Sequence, residues 1–231
     1  MGPSVTERSE EPPMPSPTRY PRQGENLDFG RVVFFTDAVF AIAMTLLVVE
    51  VGVPEAAGDA ADDPGALLDL LQDKVPLVMA FFIGCFVIGS YWVAHHRFVS
   101  RLAAVDRGFL SLTVVYLAFV ALLPFPTGVL GEFGSNPVSV VAFAANMIAV
   151  SAMEAVLFRH ARRRSLFREE WPEEVYRWSM LASLSPVAMF ALSVPVAFVS
   201  AQLAVVLWFL AIPLGRLLDR RRPAGSDRYL A

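Results

Sequence analysis

Three side chains stand out because their surroundings make their chemistry expensive: Asp37, His95 and His96. Asp37 lies inside RVVFFTDAVFAIAMTLLVVEVGV (residues 31–53), whose middle, from Ala38 to Val49, has no charge and only the Thr45 hydroxyl. A carboxylate buried about two turns into an apolar helix costs several kcal/mol unless it is paired, so this helix does something besides anchor the chain. His95 and His96 fall near the end of the next apolar run, within Trp92-Val93-Ala94-His95-His96-Arg97. If the two runs cross a membrane in opposite directions, acid and imidazoles share a depth. A network of Arg31, Thr36, Asp37, Trp92, His95 and Arg97 is then sterically reasonable, with the acid accepting charge-assisted hydrogen bonds. It has two readings, a proton relay or ion site and a structural tie between helices. The tie is preferred, because the polar motif and the apolar part of the first helix lie at different depths.

The elements that must position these groups are membrane spans. With 231 residues, 55% of them hydrophobic, and a mean hydropathy of +0.52, the chain carries too much apolar surface for a soluble domain of its size. At ~1.5 Å per residue, about 20 apolar residues match the ~30 Å hydrocarbon slab. Six such runs are read, beginning near Arg31, Val75, Gly108, Pro137, Trp178 and Gln202. The fold expected is therefore an all-α integral membrane protein with six transmembrane helices per subunit. Residues 1–28, rich in Pro, are read as a disordered cytosolic tail, 29–222 as the six-helix domain, and 223–231 as a cytosolic C-terminal tail. Pro124 and Pro126 should bend or end the third span, and Gly84 and Gly89 should admit a close neighbour. Arg-rich and Arg-poor loops alternate, which places both termini in the cytosol and the protein in the cell membrane as a multi-pass chain. Lone Cys85 excludes an internal disulfide. No P-loop, zinc-ligand spacing or nucleophile elbow is present, so no enzyme activity, cofactor, metal or nucleic-acid partner is expected.

Ala38, Ile42, Thr45, Leu46 and Val49 recur at spacings of three and four, forming a stripe of mostly branched apolar side chains with one hydroxyl. Periodicity alone favours a lipid-facing or packing role over a pore-facing one. Arg31, Phe35, Thr36 and Asp37, followed by AVFAIAMTLLVVEV, resemble the Arg-x-x-x-Phe-Ser-Asp signature of the transmembrane protein 175 family of potassium channels. Trp92 to Arg97 is similar to that family's second motif. Thr36 departs from the usual Ser but keeps the hydroxyl.

The resemblance implies a single-repeat homotetramer in a lipid bilayer whose first helix lines a potassium pore. It also implies a hydrophobic constriction at Ile42, with Leu46 and Val49 outward of it and Thr45 offering hydroxyls. It assigns the signature motif, here Arg31, Phe35, Thr36 and Asp37 with Trp92, His95, His96 and Arg97, to interhelical packing. The chain has no TVGYG carbonyl filter, so ion choice would rest on side chains. The alternative is a proton-leak pathway or secondary cation transporter using the buried Asp/His cluster, with the proline-bearing fifth span as its broken helix. A non-conducting scaffold is a third reading. Glu50 is read as an interfacial carboxylate, Glu154 as a partner for Arg159, and His160 as solvated.

Overall fold

A computed structural model describes residues 19–21, 27–54, 63–210 and a few positions beyond 214. In order they form β1 (Arg19–Pro21), α1 (Leu27–Val51), α2 (Pro64–Asp73), α3 (Val75–Ser100), β2 (Ala104–Asp106), α4 (Arg107–Leu122), α5 (Pro124–Glu132), α6 (Pro137–Arg163), α7 (Glu173–Ala197) and α8 (Ala201–Phe209). Five stretches among the described residues are long and apolar enough to cross a membrane: Phe29–Val51, Val75–Ser100, Arg107–Glu132, Pro137–Arg163 and Glu173–Ala197. The protein is all-α and membrane-spanning in character. Of the sixth expected span, α8 covers the first part; most of the rest lies outside the described residues.

Local chemistry explains most of the boundaries. Asp63 caps α2 by accepting from the Gly65 amide at 2.9 Å, and Asn136 caps α6 by accepting from Val138 at 2.9 Å. Pro124 separates α4 from α5 because it has no amide to continue the ladder, so the third span is bent there as expected. Pro186 lies inside α7. It deprives the Ala182 carbonyl of its helical donor, and the Ser185 hydroxyl donates to that carbonyl instead, at 2.8 Å.

Burial follows the helical period. Thr36, Phe40, Ala43 and Leu47 form the buried face of α1, which packs on α3, α4 and α5. Leu47 and Thr127 come within 3.0 Å of where a Cβ on Gly84 would stand, so this glycine brings α1, α3 and α5 together. On the centre of α6, Phe143, Met147 and Val150 are fully buried between α4 and α7.

At the Arg-rich end the loops are tied to one another. Within the stretch expected to be a disordered tail, Arg19–Pro21 pairs antiparallel with Ala104–Asp106. Residues 1–18 and 22–26 lie outside the described residues, as does most of the C-terminal tail. The Ala103 amide donates to Leu166 at 2.8 Å and that of Arg168 to Arg101 at 3.0 Å, joining the loops that follow α3 and α6.

Candidate functional site

The first polar grouping lies between α1, α3 and α4. Thr36 turns its hydroxyl back onto its own helix, donating to the Val32 carbonyl at 2.9 Å. Asp37, half-buried one residue on, accepts from the Trp92 indole nitrogen at 2.8 Å. The expected partners are therefore corrected: neither Arg31 nor His95 reaches the acid. Trp92 and His96 occupy one face of α3, four residues apart, with ring centroids 5.5 Å apart. His95 turns the other way into the core, where it is 2% exposed and stacks on Tyr116 at 4.9 Å. Among the described residues neither ring nitrogen of His95 has a hydrogen-bond partner, nor does the Tyr116 hydroxyl. Arg31, Phe35 and Arg97 are exposed and stand outside this grouping.

Between Asp37 and His95 lies a cavity of about 60 Å³, lined mostly by apolar surface of Val32, Val33, Val99 and Phe109, with Thr36, His96, Ser100 and Thr113 also on its wall. A cavity needs roughly 10–15 Å³ of such volume per water molecule and two to four polar partners, so this one can hold several. Water there would lie between the carboxylate and the imidazole ring, whose nitrogens themselves have almost no accessible surface.

The second grouping was missed by sequence reasoning. Asp106 caps α4 by accepting from the Phe109 amide at 2.7 Å. The same oxygen accepts from His160 Nε2 at 2.8 Å, and its other oxygen from Arg164 Nε at 3.1 Å. Burial pushes the Asp106 carboxyl up, but the Phe109 amide, His160 and Arg164 together hold it below the usual carboxylate range. His160, expected to be solvated, is thus bound to a buried acid. Gly108 makes room for it, since a Cβ there would overlap the imidazole ring. An Asp three residues before a helical amide is a capping signal, and it was the available clue.

The α1 stripe is on neither grouping. Ile42 is 56% exposed, Leu46 43% and Val49 68%, and Thr45 is exposed with its hydroxyl donating to the Ile42 carbonyl at 2.8 Å. Glu50 lies against Gly128 of α5, where a Cβ would collide with its carboxylate. Glu154 makes no bond to Arg159 and lines a separate cavity beside Tyr91.

Fold and site together define a polytopic helical membrane protein that keeps ionisable side chains between its spans, as ion-translocating proteins do. Residues 31–124 match the family model described as endosomal/lysosomal potassium channel TMEM175. A potassium channel of Streptomyces collinus is 34% identical over 181 residues, covering 76% of this chain and 85% of that one. A TMEM175 homologue from Chamaesiphon minutus, solved as a lysosomal potassium-selective channel homologue, superposes with a TM-score of 0.68 at 27% identity, covering 84% and 97% of the two chains. The chain belongs to the TMEM175 family, in its prokaryotic single-repeat type, and is a cation channel rather than an enzyme. Ions and lipid are its partners.

The endosomal/lysosomal proton channel TMEM175 of Gallus gallus is 31% identical over 115 residues, which cover 48% of this chain and 23% of that one. The expected cell-membrane location is corrected by these names, since both the family description and this relative specify endosomal/lysosomal membranes. Hydropathy and loop charge report that a chain spans a bilayer and not which bilayer it spans.

Proposed function

We propose that this TMEM175-type channel moves protons along its buried acid–imidazole groups, the reading that the sequence left as the alternative. One observation carries it: a cavity of about 60 Å³ lies between Asp37 and an imidazole whose two nitrogens have no partner among the described residues. A group with unmet hydrogen bonds beside water can accept and release a proton without breaking a structural bond. The test is proton uptake by liposomes containing the purified protein and a pH-sensitive dye, with potassium flux measured on the same preparation. Asp37→Asn and His95→Gln should each lower proton uptake about tenfold or more while potassium flux persists. Unchanged proton uptake in both variants would remove the cluster from the pathway.

A potassium path along α1 is the second reading, supported by the exposure of Ile42, Leu46 and Val49 in the single subunit and by the potassium-channel relatives. In it, six helices per subunit and four subunits surround an axis lined by α1, with Ile42 as the constriction. Thr45 gives its hydrogen to the Ile42 carbonyl, so its oxygen lone pairs are available to a partly dehydrated cation. Residues 29–222 form the channel domain, and the flanking segments are tails. Ile42→Asn should raise conductance and weaken discrimination against sodium; equal permeability ratios before and after would remove Ile42 from the filter.

A further inference from the structure

A long cleft opens between α3 and α7 that neither function above uses. α3 packs on α1 and α5, whereas α7 packs on α6 and α8, and α6 floors the space between them. Toward the Arg-rich end the cleft is a cavity of about 480 Å³ bordered by Arg97, Arg101 and Arg222, with Trp171 and Trp178 on its wall. Deeper in the membrane it passes into a second cavity of about 270 Å³, walled by Phe86, Met147, Met189, Phe190 and Trp208. The two share Ser90, Tyr91 and Pro186, so they are one groove, basic at one end and apolar at the other.

We propose that this groove holds an anionic phospholipid of the leaflet on the Arg-rich side. Its phosphate sits among the three arginines, and one acyl chain lies along the apolar wall. Length supports this: from Arg101 to Phe86 is fifteen helical residues, about 22 Å, and one leaflet with its headgroup region spans about 20–22 Å. Charge supports it at the same level, because three guanidinium groups border the cavity there, and burial and then the neighbouring Arg97 push that of Arg101 down from its usual value. On the wall of the wider cavity the Ser179 hydroxyl is buried with no partner among the described residues. The glycerol region of a diacyl lipid carries ester carbonyls, acceptors of the kind that hydroxyl lacks.

Three of the four tryptophans line the groove, which makes their fluorescence the assay. Purified protein would be placed in phosphatidylcholine vesicles containing a low mole fraction of brominated phosphatidylglycerol or, in parallel, brominated phosphatidylcholine. The anionic lipid should quench saturably and with about fivefold or greater preference, a preference that Arg101→Gln with Arg222→Gln abolishes. Ser183→Phe, which narrows the cleft and leaves the arginines in place, should weaken quenching by both lipids, and it carries the test if the double variant fails to fold. Both variants are compared at the parent's oligomer size. Equal quenching by the two headgroups, as when a second copy of the chain fills the cleft, overturns the proposal, as does a preference that survives the arginine changes. Soluble glycerol phosphate should not compete at millimolar concentration; if it erases the preference, the site takes free phosphate esters and the lipid assignment falls.

Discussion

Two carboxylates in this protein have histidines nearby, and they are satisfied very differently. Asp106 receives three donors, the Phe109 amide, His160 and Arg164, and it joins the start of α4 to the end of α6. Asp37 receives one from Trp92, while the imidazole across the cavity from it receives none. A saturated buried acid contributes to stability, because each donor favours the charged form and removing the acid takes the cap from α4 and the acceptor from His160. An under-satisfied acid beside a water-sized cavity contributes little to stability and can exchange protons. On the proposed function the contrast sets a structural tie at Asp106 beside a transport group at Asp37, the residue to which the sequence-based reading gave the tie.

The largest effect that would break this contrast is at Asp106. Asp106→Ala removes a cap and the acceptor that His160 and Arg164 share, so it should cost about 2–3 kcal/mol, read as a fall in thermal stability and in folded yield. Unaltered stability would mean that the three hydrogen bonds hold nothing together. The same site sets a sign for acid. A carboxyl held below its unfolded value contributes stability above that unfolded value, roughly 3.9, and loses it as pH falls through the lower folded one. Wild-type unfolding should therefore steepen in strong acid, and Asp106→Asn should flatten that dependence.

Next in size is Asp37→Asn, which should leave folded yield near wild type while lowering proton flux about tenfold or more. A collapse of yield with no specific loss of proton flux would return Asp37 to the structural role. His160→Gln is smaller: one of three donors to Asp106 changes, the cap and Arg164 remain, and about 1 kcal/mol of stability should be lost with proton flux unchanged.

What was legible in the chain was whatever depends on one helix at a time. The period of three and four drew the stripe of Ile42, Thr45, Leu46 and Val49 that is exposed in the single subunit. Gly84 and the proline break before α5 were equally local. The partners of Asp37 were not legible, because depth along α3 does not fix azimuth: Trp92 and His96 share a face, and His95, between them, is about 100° away per residue of rotation and enters the core. The Asp106 grouping joins residues 54 and 58 positions apart, through loops whose path no periodicity predicts. Charge clustering suggested that His160 was solvated, whereas a glycine at 108 makes room for its ring beside the acid.

The smallest effect is also the sharpest, because the two regions answer it with opposite signs. Trp92→Phe keeps an aromatic ring beside His96 but removes the only donor to Asp37 among the described residues. At a saturated carboxylate such a loss would lower stability and nothing else. At Asp37 the freed oxygen turns to the water of the adjoining cavity, so stability should drop by only about 1 kcal/mol while proton flux rises about two- to threefold, the rate equivalent of roughly half a kcal/mol. Liposome proton uptake set beside thermal unfolding of the same sample reads both quantities. A fall in flux parallel to the loss of stability would show that the indole positions the acid for transport and does not restrain it, and the distinction between the two carboxylates would then rest on His95 alone.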